Sequence, residues 1–224
     1  MAEVQLVWFK RDLRVEDHEA LVTAANRGPC VCLFIYEPEI VQAPDFDPSH
    51  LVFINDSLAE LRDRLRAMGN ELLIRVGDAV DVLEALRKQT QFVAIHSHQE
   101  TGNALTYQRD VAVGRWARSH NIAWHEYRQH GVFRKLGDRD GWASRWIGVM
   151  RAQAHRAPDV LTPAGALVGG PILSERELGL TPSSKDLVQP GGEAPAQTVL
   201  REFLLHRGER YQTEMSSPNT AINS

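Results

Sequence analysis

Seven residues near the N-terminus, Trp8-Phe9-Lys10-Arg11-Asp12-Leu13-Arg14, set three cations around one carboxylate. Such a group either closes on itself as a salt-bridged turn or meets a ligand, and Arg11 and Asp12 are its candidate ligand contacts. It directly follows the apolar run Leu6-Val7-Trp8-Phe9, where a nucleotide-binding fold places its phosphate loop. A dinucleotide fingerprint needs glycines there, so that the backbone can approach a pyrophosphate. This turn has none, and no P-loop pattern occurs elsewhere, which argues against a dehydrogenase or a P-loop enzyme. Cys30 and Cys32 are one residue apart, too few for a disulfide framework and without the second cluster that a zinc site needs. His96 and His98 are expected to face opposite ways at the end of a strand, and His125 and His130 flank another. None has a second histidine or a carboxylate at a ligand spacing such as i, i+4 on a helix, so no metal site is expected.

The elements that must hold these residues follow from periodicity. Cys30 to Tyr36 is a continuous apolar run with β-branched and aromatic members, as in a strand buried on both faces. Leu72 to Val76, Phe92 to His96 and Ile122 to Tyr127 repeat that signal. Between the strands, residues 16–27 read as a helix ended by Gly28, and 38–50 as a proline-bearing loop. Leu51, Ile54, Leu58, Leu61, Leu65 and Met68 recur at three and four, the clearest amphipathic helix in the chain. Asp78 caps a helix carrying Val80, Leu83 and Leu86, and residues 103–120 form another. Strands alternating with helices imply right-handed crossovers, hence a doubly wound α/β layer. The expected fold is a five-stranded parallel sheet, Rossmann-like or flavodoxin-like, in strand order 3-2-1-4-5. Ligands of such sheets bind beyond the carboxyl ends of the strands, where the order reverses.

After residue 130 the pattern changes. Residues 139–154 carry a short helix with Trp142, Trp146 and Met150, while 157–198 are dense in Gly and Pro and read as a long linker. Helical periodicity resumes near Gln197 with Val199, Leu200, Phe203 and Leu204. The expected organisation is therefore an α/β domain over 1–130, a linker with a short helix over 131–196, and the truncated beginning of a helical domain over 197–224. The 224 residues carry 25 basic and 29 acidic side chains, for a net charge of −4, with 43% hydrophobic residues. That composition suits a soluble globular chain rather than a disordered one. The N-terminus lacks a signal-peptide pattern and no apolar run is long enough to span a bilayer, so the expectation is a cytoplasmic, monomeric protein without a membrane partner.

Trp-Phe-Lys-Arg-Asp-Leu-Arg at 8–14, followed by Asp17 and Ala20-Leu21, closely resembles the opening signature of the DNA photolyase and cryptochrome family. Leu33 to Pro38, Phe53 to Leu61, Gly69, Gly77-Asp78 and Arg109-Asp110 continue the resemblance in order, nearly unbroken over residues 3–130. Leu200-Arg201-Glu202-Phe203 to Tyr211 resembles the entry to that family's flavin domain. The resemblance implies an N-terminal domain able to carry an antenna chromophore (a folate, a deazaflavin or a flavin) and a helical domain holding FAD. It implies a parent that repairs cyclobutane pyrimidine dimers in UV-damaged DNA by blue-light-driven electron transfer from reduced FAD. The alternatives are a signalling cryptochrome or a free-standing nucleotide-binding module.

The resemblance places Tyr211 near the FAD phosphates. The family's Leu-Ser-Pro stretch is absent, although Ser216 to Ser224 approaches it, and no catalytic residue of the repair reaction is expected in this chain. Glu37 and Glu100, at the ends of the second and fourth strands, are the candidate pigment ligands, since a carboxylate accepts hydrogen bonds from a pterin or from ribityl hydroxyls. Trp8, Trp116 and Trp124 are expected in the core. The basic excess between Arg128 and Arg156, including Arg134, Lys135, Arg139, Arg145 and Arg151, reads as a solvated face, with DNA phosphates as the functional alternative.

Overall fold

The computed structural model describes residues 2–134, 136–185, 189–217 and 219. Lys135 and most of the stretch from Ser216 to Ser224 lie outside them. Five strands, β1 (Gln5–Phe9), β2 (Cys30–Tyr36), β3 (Leu72–Val76), β4 (Ala94–His98) and β5 (Ala123–Tyr127), form one parallel sheet. Their order is β3-β2-β1-β4-β5, as the alternation of periods predicts. The chain builds outward from β1 through β2 to β3, then returns to β4 on the other side, so the order reverses between β1 and β4.

Both faces of the sheet are covered, which is why β1 and β2 are buried at every position. One face carries Val7, Phe9, Phe34 and Tyr36 against helices α1 (Glu19–Ala25) and α3 (Pro48–Ala67). The other carries Leu6, Trp8, Leu33 and Ile95 against α4 (Ala79–Thr90) and α5 (Ala104–Ser119). Fully buried leucines such as Leu58 and Leu61 each contribute about 1.5–3 kcal/mol by leaving water.

Three boundaries within the α/β layer differ from expectation, each for a local reason. The loop predicted over 38–50 contains a short helix, α2 (Pro38–Val41), and ends at Asp47. There Asp47 accepts from Ser49 N–H and His50 Nδ1 accepts from Asp47 N–H, a reciprocal cap with Pro48 in the first turn. The first helix begins at Glu19 rather than 16, because Asp17 adopts a left-handed φ of 49° and His18 caps the helix from Nδ1. The fourth strand lies two residues later than the apolar run suggests: Phe92 packs below the sheet and pairing starts at Ala94.

Residues 151–185 and 189–192 contain no helix or strand element, yet they are packed on the domain. Leu161 and Leu178 complete the core beside α3, and Cys30 N–H donates to Thr162 O at 2.8 Å. A Cβ on Gly170 would collide with the carbonyl of Ile74, so only glycine lets the segment lie against β3. Helix α6 (Trp142–Met150) precedes this stretch and α7 (Glu193–Leu205) follows it, four residues earlier than predicted. A 3-10 turn and α8 (Tyr211–Glu214) close the described chain. Trp142, Trp146 and Met150 of α6, and Leu200, Leu204 and Leu205 of α7, are exposed. No helix among the described residues is long and apolar enough to cross a membrane.

Candidate functional site

The carboxyl ends of β1, β2 and β4 gather the charged residues of the turns that follow them. Arg109, on the inward face of α5, is the hub. It donates to Glu37 at 2.7 Å and Glu100 at 3.3 Å, pairs with Asp110 at 3.0 Å, and lies 5.0 Å over the Trp8 ring. Burial alone would lower its pKa, but Glu37 and Asp110 raise it further, so it stays charged. Burial pushes the Glu37 carboxyl up, and Arg109 offsets part of that. Arg134 closes the outer side, donating to the Glu100 carbonyl and to Glu126, each at 2.8 Å.

Lys10 extends the knot. Its ammonium lies over Trp8 (5.1 Å) and Trp124 (5.9 Å) and 3.5 Å from Asp110, with no hydrogen bond among the described residues. Burial lowers its pKa more than Asp110 raises it. The indole faces offset part of the lost hydration through cation–π attraction.

Asp12 forms a second cluster on the opposite face. Its Oδ1 accepts from Lys10 N–H at 2.7 Å, and its Oδ2 meets His18 Nε2 at 2.9 Å and His98 Nδ1 at 2.5 Å. Burial would raise the Asp12 pKa, but His18, by charge and hydrogen bond, and then His98 hold it well below the usual range. Burial lowers that of His18 despite Asp12. These three side chains could present metal ligands, a convergence that local spacing did not disclose. The tautomer of His18 opposes that use. Its Nδ1 accepts from Leu21 N–H at 3.0 Å, so its proton sits on Nε2, the atom a metal would need. His96 and His98 are two residues apart and share one face of β4, contrary to the expectation that they point opposite ways. His96 bonds Gln5 and Tyr127 at 2.9 Å each, and burial takes its pKa down to about 4.

Beyond the ends of β1 and β2 opens a cavity of about 1030 Å³. Phe34, Tyr36, Ile40, Phe46, Phe53 and Ile54 supply apolar and aromatic wall, and Arg11, Glu37, Glu100 and Arg109 also line it. Its volume matches the upper range of cofactor-sized sites, and its mainly apolar walls with a few polar groups match their usual chemistry. The far wall is the segment entering α7. Glu193 accepts from Val15 N–H at 3.1 Å and Glu16 N–H at 3.2 Å and pairs with Arg64, while Glu60 accepts from Ala194 N–H at 2.9 Å.

The predicted residues distribute as follows. Glu37, Glu100 and Arg11 line the cavity, but both carboxylates are engaged by Arg109, and Arg11 lies 3.5 Å from Glu100. Asp12 points away into the histidine cluster. Trp8 and Trp116 are buried and Trp124 partly so, as expected. Tyr211 stands half-exposed against the edge of Phe203, 5.5 Å between centroids, far from any of these groups in sequence and bonding. Sequence reasoning singled out Arg109-Asp110 as a motif but not Arg109 as the hub, and it missed His18 as a partner of Asp12 and Glu193 as the clamp.

The family described as DNA photolyase matches residues 5–138. Cryptochrome DASH of Gloeobacter violaceus is 37% identical over 113 residues, 47% of this chain and 23% of its own length. Deoxyribodipyrimidine photo-lyase of Synechococcus sp. is 33% identical over 101 residues, 45% of this chain and 21% of its own. The crystal structure of a Synechocystis cryptochrome superposes with a TM-score of 0.75 at 21% identity, covering all of this chain and 51% of that one. At that identity the likeness speaks for the fold alone. The matched segment thus amounts to under a quarter of either curated relative.

Proposed function

From the premise that the chain belongs to the DNA photolyase family, we propose that it forms the antenna-pigment part of a deoxyribodipyrimidine photolyase. The observation that carries this reading is the aromatic-walled cavity at the carboxyl ends of β1 and β2. Its residues fit a flat, conjugated molecule such as a folate, a deazaflavin or a flavin. When bound, that pigment supplies light absorption and onward transfer of excitation energy. Phe34, Phe46 and Phe53 hold the ring system and exclude water. The Arg109 knot fixes Glu37 and Glu100 as a rigid polar boundary rather than as free acceptors, and Asn103 and Lys185 are likewise engaged, so Gln189 and Gln197 are the lining amides left to meet polar edges of the ligand.

Repair of pyrimidine dimers in UV-damaged DNA, driven by blue light and reduced FAD, is proposed for the protein as a whole. The described residues do not fit FAD: Tyr211 is half-exposed and its ring rests on Phe203. No step of the repair reaction is therefore derived from this chain. A signalling cryptochrome is the second reading, favoured by the 37% identity to a cryptochrome DASH.

Mixing the purified chain with riboflavin, FMN, a deazaflavin or methenyltetrahydrofolate and removing free pigment by gel filtration tests the first reading. One of these is expected to co-elute near one equivalent, and Phe34→Ala with Phe46→Ala to reduce it at least tenfold. Elution free of all four would refute the antenna role. Light-dependent repair of a dimer-bearing oligonucleotide by the whole protein separates photolyase from cryptochrome.

A further inference from the structure

A second, smaller cavity lies between the turns after β1 and β4, where the strand order reverses. It measures about 250 Å³, and Lys10, Arg11, His98, Thr101, Gln129 and His130 line it together with the already partnered carboxylates Asp12 and Glu100. Doubly wound sheets bind ligands at this reversal. We propose that it is a binding site for a hydrogen-bearing oxyanion of phosphate size, adjoining the pigment cavity, with which it shares Lys10, Arg11 and Glu100.

The argument rests on where the protons sit. Asp12 is an ionised, buried carboxylate that accepts from Lys10 N–H and His98 Nδ1–H and has His18 Nε2 2.9 Å away as an ion-pair contact. Donation from Nδ1 leaves Nε2 of His98 with a lone pair. His98 is 2% exposed, and no hydrogen bond reaches its Nε2 among the described residues. His98 lines the cavity, so a ligand hydroxyl held there can donate to that lone pair. Around it stand donors. Thr101 Oγ1 is 3.2 Å from His130 Nε2, and since His130 Nδ1 accepts from Val132 N–H, Nε2–H donates and the threonine hydroxyl remains free to donate. Arg11 is exposed beside Glu100, with guanidinium hydrogens to spare. Glu100 does not oppose an anion, because Arg109 and the amides of Thr101 and Gly102 already satisfy it.

An acceptor ringed by donors suits a group that carries both P–OH and P–O⁻. Inorganic phosphate keeps one hydroxyl at neutral pH, whereas sulfate has none. A phosphate monoester keeps its hydroxyl only below its second pKa of about 6. The site should therefore tell phosphate from sulfate, which charge alone would not do.

Equilibrium dialysis of the 224-residue chain against radiolabelled phosphate, with competitors at equal ionic strength, tests this. Expected is one phosphate per chain, displaced at least tenfold better by unlabelled phosphate than by sulfate. Arg11→Ala, at an exposed side chain that leaves folding unaffected, should weaken binding about tenfold or more through loss of a charge-assisted bond. Competition by phenyl phosphate at about pH 5.5 equal to that by phosphate would identify an ester head group as the ligand. Its failure to compete would identify free phosphate. Sulfate competing as well as phosphate, unchanged binding in Arg11→Ala, or no saturable binding would each overturn the proposal. None of these outcomes depends on pigment binding.

Discussion

At the scale of single residues, Arg109 carries the most weight. It neutralises Glu37, Glu100 and Asp110, all nearly buried, from one guanidinium whose planar fork can reach several carboxylates at once. Removing it strands Glu37 and leaves Glu100 and Asp110 to their weaker contacts with Arg11, Lys10 and Arg134. Arg109→Ala is expected to cost about 3–5 kcal/mol in urea unfolding, and Arg109→Lys less. A loss below about 1 kcal/mol would mean that the knot is not a structural element. The positions of Glu37 and Glu100 were legible in the sequence, because strand ends follow from periodicity. Their occupation was not. Arg109 lies 72 positions from Glu37, and His98 lies 86 from Asp12; no local pattern encodes either meeting. The same holds for the clustering of Asp12 with His18 and His98, since ligand-spacing rules see only neighbours on one element.

At the scale of elements, strands and helices were readable because two periods, two and 3.6, alternate cleanly through residue 127. What periodicity does not mark is how a Gly- and Pro-rich segment is held. The stretch 157–198 reads as a long linker in sequence, but its described residues before α7 donate and accept along α3 and β3, and Glu193 ties the start of α7 to the turn before α1. A Cβ at Gly191 would collide with the carbonyl of Phe53, so the approach to α3 there depends on glycine. Glu193→Ala is expected to destabilise the chain by about 1–3 kcal/mol, leaving two amides and Arg64 without their acceptor. Amide exchange at Val15 and Glu16 should accelerate at least tenfold, with exchange in β2 unchanged. Equal protection in variant and wild type would show that the clamp is dispensable.

For the whole molecule, the buried histidines set an acid limit. His18 and His96 both have folded pKa values lowered by burial, His96 to about 4, against about 6.5 when unfolded. Between those values the unfolded chain binds protons that the folded chain does not, so stability falls as pH falls below about 6.5. Below about 4 His96 adds no further slope, while the depressed carboxyl of Asp12 continues the loss as pH drops past about 3.9. The urea midpoint should therefore decline steadily from pH 7 to 4, and His96→Gln should flatten that decline. A midpoint independent of pH over this range would contradict the buried neutral state. Across the same molecule the tryptophans fall into two optical classes. Trp142 and Trp146 face solvent, where a dissolved quencher reaches them, while Trp8 is enclosed, carries Lys10 and Arg109 against its ring, and forms part of the cavity wall. The cavity thus contains its own fluorophore: a conjugated guest accepts excitation from Trp8 at contact range, so filling the cavity would extinguish the shielded emission and spare the exposed.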